Sequence, residues 1–219
     1  MLDKTLHRTI MANVIKDFYS DPLVGNNLVF KGGTAAYFFY ALPRLSVDLD
    51  FDLLNENLKQ EVFFRVKELL IAHGELLEAT EKRFTLFFLL RYQRGNRNLK
   101  IEISRRKSPK KYSVKNFLGL PVFVVDQDSM VSGKIAAFLT RREFATRDAF
   151  DLWFFLKNNW PIDEKELTYQ VNLSLKETLT QALNKAQTIT SKDILYGLGE
   201  LVGEKQKNFI REKLVTDLI

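Results

Sequence analysis

The 219-residue chain is 46% hydrophobic and 27% charged, the balance of an ordinary globular protein with apolar material for one large domain, or for a medium domain with a helical annex. It has no cysteine and only two histidines, His7 and His73, which excludes a disulfide scaffold, a thiolate metal site and a cysteine nucleophile and argues against a zinc centre. The net charge is +6, yet ten basic residues fall between Arg91 and Lys115 with Glu102 as the one acid there, leaving the rest of the sequence at −3; such a local positive concentration attracts polyanions.

Leu6, Ile10, Val14, Ile15 and Phe18 recur at helical spacing, predicting an amphipathic helix that stops near Ser20-Asp21-Pro22. Residues 27–30 read as a short strand, broken by Gly32-Gly33, and residues 34–42 as a helix with Thr34 near its N-cap and Pro43 beyond its end. The alternation over residues 47–54 predicts a strand and the periodicity over 58–73 a helix; strands follow at 84–92, 99–104 and 121–125. From there on only helices are predicted, at 129–141, 146–157, 163–170, 174–186, 191–198 and 204–218. The expected fold class is therefore α+β: a small mixed β-sheet flanked by helices over residues 1–125, followed by an all-helical domain over residues 126–219. The opening Met1-Leu2-Asp3-Lys4 has no signal-peptide core and no apolar run is long enough to span a bilayer, so a cytoplasmic protein without membrane association is expected.

Asp48, Asp50 and Asp52 alternate with Val47, Leu49, Phe51 and Leu53, which on a strand puts three carboxylates on one face. Like charges in a row gain nothing from a sheet and call for a cation. Mg²⁺ takes oxygen ligands and completes its octahedron with water and substrate phosphates, and Mn²⁺ is the natural substitute. Lys31-Gly32-Gly33-Thr34 lies at the preceding strand-to-helix junction, where glycines allow close backbone approach and a helix N-terminus offers free N–H groups to phosphate. Leu99, Ile101 and Ile103 take one face of a later strand and Lys100, Glu102 and Ser104 the other, so Glu102 joins Asp48 and Asp50 if the two strands pair, as a metal ligand or as acceptor of a proton from an attacking hydroxyl. The competing expectations are an edge strand with one solvated face and a surface glutamate paired to a neighbouring cation.

Lys31-Gly32-Gly33-Thr34 followed by Leu45-Ser46-Val47-Asp48-Leu49-Asp50-Phe51 resembles the AbiEii/AbiGii toxin family of the polymerase-β-like nucleotidyltransferase superfamily. Lys134-Ile135-Ala136-Ala137-Phe138 through Arg147-Asp148-Ala149-Phe150-Asp151-Leu152 is similar to that family's second signature. The resemblance implies a nucleotidyltransferase that moves a nucleoside monophosphate from an NTP to an acceptor hydroxyl. Gly32, Gly33 and Thr34 would hold the triphosphate, with Lys31 nearby; Asp48 and Asp50 would bind Mg²⁺. Lys134, with Asp148 or Asp151 and with Arg147 in the same motif, would complete the nucleotide site. Members of the family act as toxins with antitoxin partners, and some add nucleotides to tRNA ends. The third acidic position is less fixed in this branch, so Glu102 rests on the strand pattern. From the residues alone, Lys134 is a partly buried lysine aimed at an anion or a snorkelling one, Arg147 and Asp151 stand at i and i+4, and Asp148 can offset a helix dipole.

The function expected is transfer of NMP to an RNA acceptor, tRNA foremost, with Arg105, Arg106, Lys107, Lys110 and Lys111 guiding the polyanion. The alternatives are a small-molecule or protein acceptor, and a degenerate module that binds RNA or a partner without turnover. Ser46, two residues before Asp48, is a regulatory candidate: a phosphate there would set about two negative charges beside the metal ligands.

Overall fold

The computed structural model describes residues 2–141, 145–189 and 194–218. The chain divides into two compact units: one of Met1–Ala41, Ser46–Lys107 and Tyr112–Val125, the other of Leu42–Leu45, Ser108–Lys111 and Asp126–Ile219. The fold is mixed, with a seven-stranded sheet and helices in the first unit and a helical region after it.

In the first unit, helix α1 (Lys4–Ser20) starts on Asp3, whose side chain accepts from the Leu6 N–H, and buries Met11, Val14, Ile15 and Phe18. Asp21 then caps a short helix α2 (Pro22–Gly25), with proline at the start where its missing N–H costs nothing. Strand β1 (Leu28–Lys31) runs into helix α3 (Gly32–Tyr40), and strand β2 (Asp48–Leu53) into a 3₁₀ turn and helix α4 (Lys59–Ile71). Strands β3 (Glu75–Lys82), β4 (Thr85–Arg91), β5 (Leu99–Ser104), β6 (Tyr112–Phe117) and β7 (Leu120–Val125) complete the sheet in the order β3-β4-β5-β2-β1-β7-β6. The β2–β5 and β1–β7 pairs are parallel and the others antiparallel. Leu49, Phe51, Leu86, Phe88, Ile101 and Ile103 are fully buried on one face of the sheet. The Phe51 ring lies 5.0 Å from Phe30 and 5.6 Å from Phe18 of α1, and Phe88 lies 5.2 Å from Phe63 of α4.

The second unit holds α5 (Gln127–Thr140), α6 (Thr146–Lys157), α7 (Glu164–Val171), α8 (Leu175–Gln187), α9 (Glu204–Glu212) and α10 (Leu214–Leu218). Asp163 and Ser174 cap α7 and α8, the latter with a full capping box to Glu177. Phe155 stacks on Trp160 at 4.3 Å in the core.

Four expectations need correction. Helix α3 begins at Gly32 rather than at a Thr34 cap. Strands β3 and β6 were not expected; β6 begins inside the basic segment, whose last residues are therefore strand rather than loop. The helix expected over 204–218 is two helices, separated where Lys213 leaves helical geometry at φ −130°. Of the helix expected over 191–198, residues 191–193 lie outside the described residues and 194–198 form a turn.

Candidate functional site

Alternation along β2 sends Leu49 and Phe51 into the core and Asp48, Asp50 and Asp52 to the opposite face. Parallel pairing with β5 sets Asp48 opposite Lys100 and Asp50 opposite Glu102; antiparallel pairing with β1 sets Asp50 opposite Lys31. Directly opposed residues share a face. Asp48, Asp50, Glu102, Lys31 and Lys100 therefore stand together, and the pairing of strands that the sequence left open is made.

The Gly-Gly turn abuts this row. Gly32 has φ +78°, and a Cβ built there would lie 2.6 Å from Asp50 Oδ2, so only glycine fits on both counts. The first N–H groups of α3, from Gly32 onward, have no partner within the helix, and Lys31 at the N-cap supplies no side-chain bond to them. Thr34 is fully buried, and its hydroxyl donates to the Asp48 carbonyl. Lys31 forms an ion pair with Asp52.

Burial, and then the neighbouring Asp48, push the Asp50 carboxyl above its usual range, against the pull of Lys31 and Lys100. Lys100 Nζ lies 3.0 Å from Glu102 and 3.4 Å from Asp48. Burial would lower that ammonium's pKa, but Asp48 and Glu102 outweigh it and hold it above the ordinary value. A lysine ammonium thus lies across two carboxylates where the donor set suits a divalent cation. Among the described residues no three acidic or imidazole groups close into a ready-made metal cage.

His7, which pattern-reading passed over, supports this geometry. His7 is fully buried; its Nε2 lies 2.9 Å from the Val47 carbonyl and its Nδ1 2.8 Å from the Tyr92 hydroxyl. A carbonyl only accepts, so Nε2 carries the proton and Nδ1 accepts from Tyr92. Burial lowers the imidazole pKa, overriding the Val47 bond that raises it, and keeps the ring neutral. The carbonyls of Val47 and Asp48 are thus fixed by donors from α1 and α3. The 7, 11, 14, 18 spacing along α1 was the available signal for His7. Lys100 was visible in the alternation, but its bridging position was not. Ser46 is 9% exposed and precedes the strand, which begins at Asp48.

The second signature forms its own cluster inside the helical unit. Lys134 Nζ lies 2.9 Å from Asp148 Oδ1 and 3.0 Å from Asp151 Oδ2. Arg44, which carried no periodic signal, clamps Asp151 in a fork at 2.6 and 2.7 Å. Asp151 thus spends both oxygens on Arg44 and Lys134 rather than on Arg147, which is half-buried. Burial would raise the Asp151 pKa, but Arg44 and Lys134 prevail and hold it below the usual range. Lys134 is held above its ordinary value, burial being outweighed by Asp151 and Asp148. Asp148 Oδ2 is buried without a hydrogen bond; Arg141 Nη1 is 2.8 Å away, close enough for charge attraction but out of line for a bond.

The basic segment is partly neutralised by the fold. Arg105 is spent on Glu56 and Glu81, and Lys111 on Asp128 and Asp163. Arg106 and Lys107 are exposed.

The model of the family described as nucleotidyl transferase AbiEii toxin, type IV TA system, matches residues 14–211. No curated protein matches the sequence. Among solved structures, JHP933 from Helicobacter pylori is similar with a TM-score of 0.60 and 21% identity, over 100% of this chain and 93% of that one. An antigenic nucleotidyltransferase-like protein from Paracoccidioides brasiliensis is similar with a TM-score of 0.55 and 14% identity, over 92% and 95%. At these identities the structures speak for the fold.

Proposed function

The chain belongs to the AbiEii nucleotidyl transferase toxin family, and from that premise we propose that it transfers NMP from an Mg²⁺-bound NTP to a hydroxyl of an RNA acceptor, tRNA foremost, at the acidic face of β2 and β5. It is a nucleotidyltransferase; the metal, the acceptor and the residue roles are our assignment. The observation that carries it is the register of Lys31, Asp50 and Glu102 on adjacent strands, with Gly32 tight against the Asp50 carboxylate.

The N–H groups at the start of α3 receive triphosphate oxygens, and Lys31 adds positive charge beside them. Asp48 and Asp50 would hold the divalent cation, which supplies charge neutralisation at the phosphates when bound. Lys100 yields its place between Asp48 and Glu102 and stays paired with the latter. Glu102 accepts the proton as the acceptor oxygen bonds to the α-phosphorus and the bond to the β-phosphate oxygen breaks, releasing pyrophosphate. Lys134, Arg147, Asp148 and Asp151 enter as nucleotide-site residues through the family resemblance. Ser46 keeps its regulatory assignment, with the condition that its buried hydroxyl must first be exposed. An antitoxin partner follows from the family's type IV toxin–antitoxin description.

Incubation with each labelled NTP, Mg²⁺ and total RNA, followed by gel separation, tests this. Label is expected in RNA, with Asp48→Asn and Asp50→Asn each reducing incorporation at least about a thousandfold while the melting transition remains cooperative; the size is that of losing a main electrostatic contributor to a transition state. Full incorporation by either variant removes the assignment. Label in protein or in a small molecule moves the acceptor, and a thermal shift with RNA but none with Mg²⁺ and NTP points to a binding module.

A further inference from the structure

The β3–β4 hairpin turns through two residues, Arg83 and Phe84. The Phe84 ring is 41% exposed. The guanidinium of Arg83 lies 4.9 Å from the ring centroid and that of Arg106 5.0 Å. The tip is held firmly: the Arg105 N–H donates to the Phe84 carbonyl at 2.8 Å, and the Arg105 side chain reaches the Lys82 carbonyl and Glu81. Arg105 thus spends its charge on fixing the tip, while Arg83 and Arg106 turn theirs to the ring.

We infer that Arg83, Phe84 and Arg106 form a stacking platform for a single-stranded stretch of the RNA acceptor, an inference that rests on RNA being that acceptor. The three groups are planar π-surfaces, two of them cationic, which suits bases that stack while their phosphates meet positive charge. An acidic protein would be attracted by the cations but would draw nothing particular from the ring. Exposed Lys82 and Lys107 extend the positive surface on either side. The platform is within reach of the proposed chemistry: Arg106 is four residues beyond Glu102, about 14 Å at full extension. Phe87 stands directly across from Glu102 on the carboxylate face, with Lys82 Nζ 3.6 Å from its ring. A strand held at the tip therefore meets a second aromatic–cation pair beside Glu102.

Fluorescence anisotropy with a labelled single-stranded RNA 12-mer, and with a duplex of the same length, tests the assignment on the full chain. The single strand is expected to bind more tightly than the duplex. Phe84→Ala should weaken it about tenfold, Phe84→Trp should retain it, and Arg106→Gln should weaken it severalfold. Unchanged binding in Phe84→Ala, loss in Phe84→Trp equal to that in Phe84→Ala, or equal affinity for the duplex overturns the platform. If label still enters RNA in those cases, the acceptor assignment survives it. If the unaltered protein binds neither RNA and labels none, both fall together.

Discussion

A methyl group added at Gly32 would meet the Asp50 carboxylate at 2.6 Å, at a φ of +78° that side chains rarely adopt. Gly32→Ala is therefore expected to cost about 1–3 kcal/mol, a value typical of one strained residue, and so to lower the melting temperature by several degrees. Displacing Asp50 should cut nucleotide incorporation far more than that stability loss explains. Thermal denaturation beside the labelling assay checks this; an active, unshifted variant would show that the turn does not govern Asp50. The acidic row was legible residue by residue, since alternation is written in β2 and β5 alike. The restraints behind it were not: His7 acts on Val47, and Thr34 and Lys100 act on Asp48, across separations that no local pattern encodes.

Among the elements, α6 carries a charge network that its periodicity only hinted at. Asp151 is fully buried and bound by Arg44 from the Leu42–Leu45 segment and by Lys134 from α5. Breaking a buried pair leaves a charge uncompensated, at about 3–5 kcal/mol; with Lys134 still 3.0 Å from Asp151, Arg44→Ala should fall near the lower end. The Asp151 pKa is depressed, so its contribution is present above the unfolded value near 4 and is lost as pH falls through the lower folded value. Urea denaturation of Arg44→Ala should thus show a deficit at neutral pH that narrows below about pH 4; a deficit that grows there would contradict the assignment. Helices and central strands were readable because their buried faces impose a period. Strand β3 is mostly exposed and polar, and β6 is an edge strand with alternate residues exposed, so neither had a buried face to write one.

Over the whole molecule, positive charge that looked continuous in sequence is not equally available. Arg105 and Lys111 are committed to carboxylates, whereas Arg106 and Lys107 are exposed. Each phosphate contact to single-stranded RNA contributes about 0.7 to the slope of log affinity against log salt. Arg106→Gln and Lys107→Gln should each reduce that slope by about this amount, and Arg105→Gln and Lys111→Gln should leave it nearly unchanged. A salt titration by anisotropy decides, and equal effects from all four would mean that the internal ion pairs open on binding. By itself the sequence determined the mixed fold with its helical second part, the acidic face, the glycine turn and the family, because each is written in short-range periodicity or in contiguous motifs. Only the tertiary structure decided that Glu102 lies beside Asp50, that Lys100 lies across the carboxylates, that Arg44 holds Asp151, and which cations remain unspent. Those facts depend on strand order and on contacts between distant segments, which local pattern does not specify.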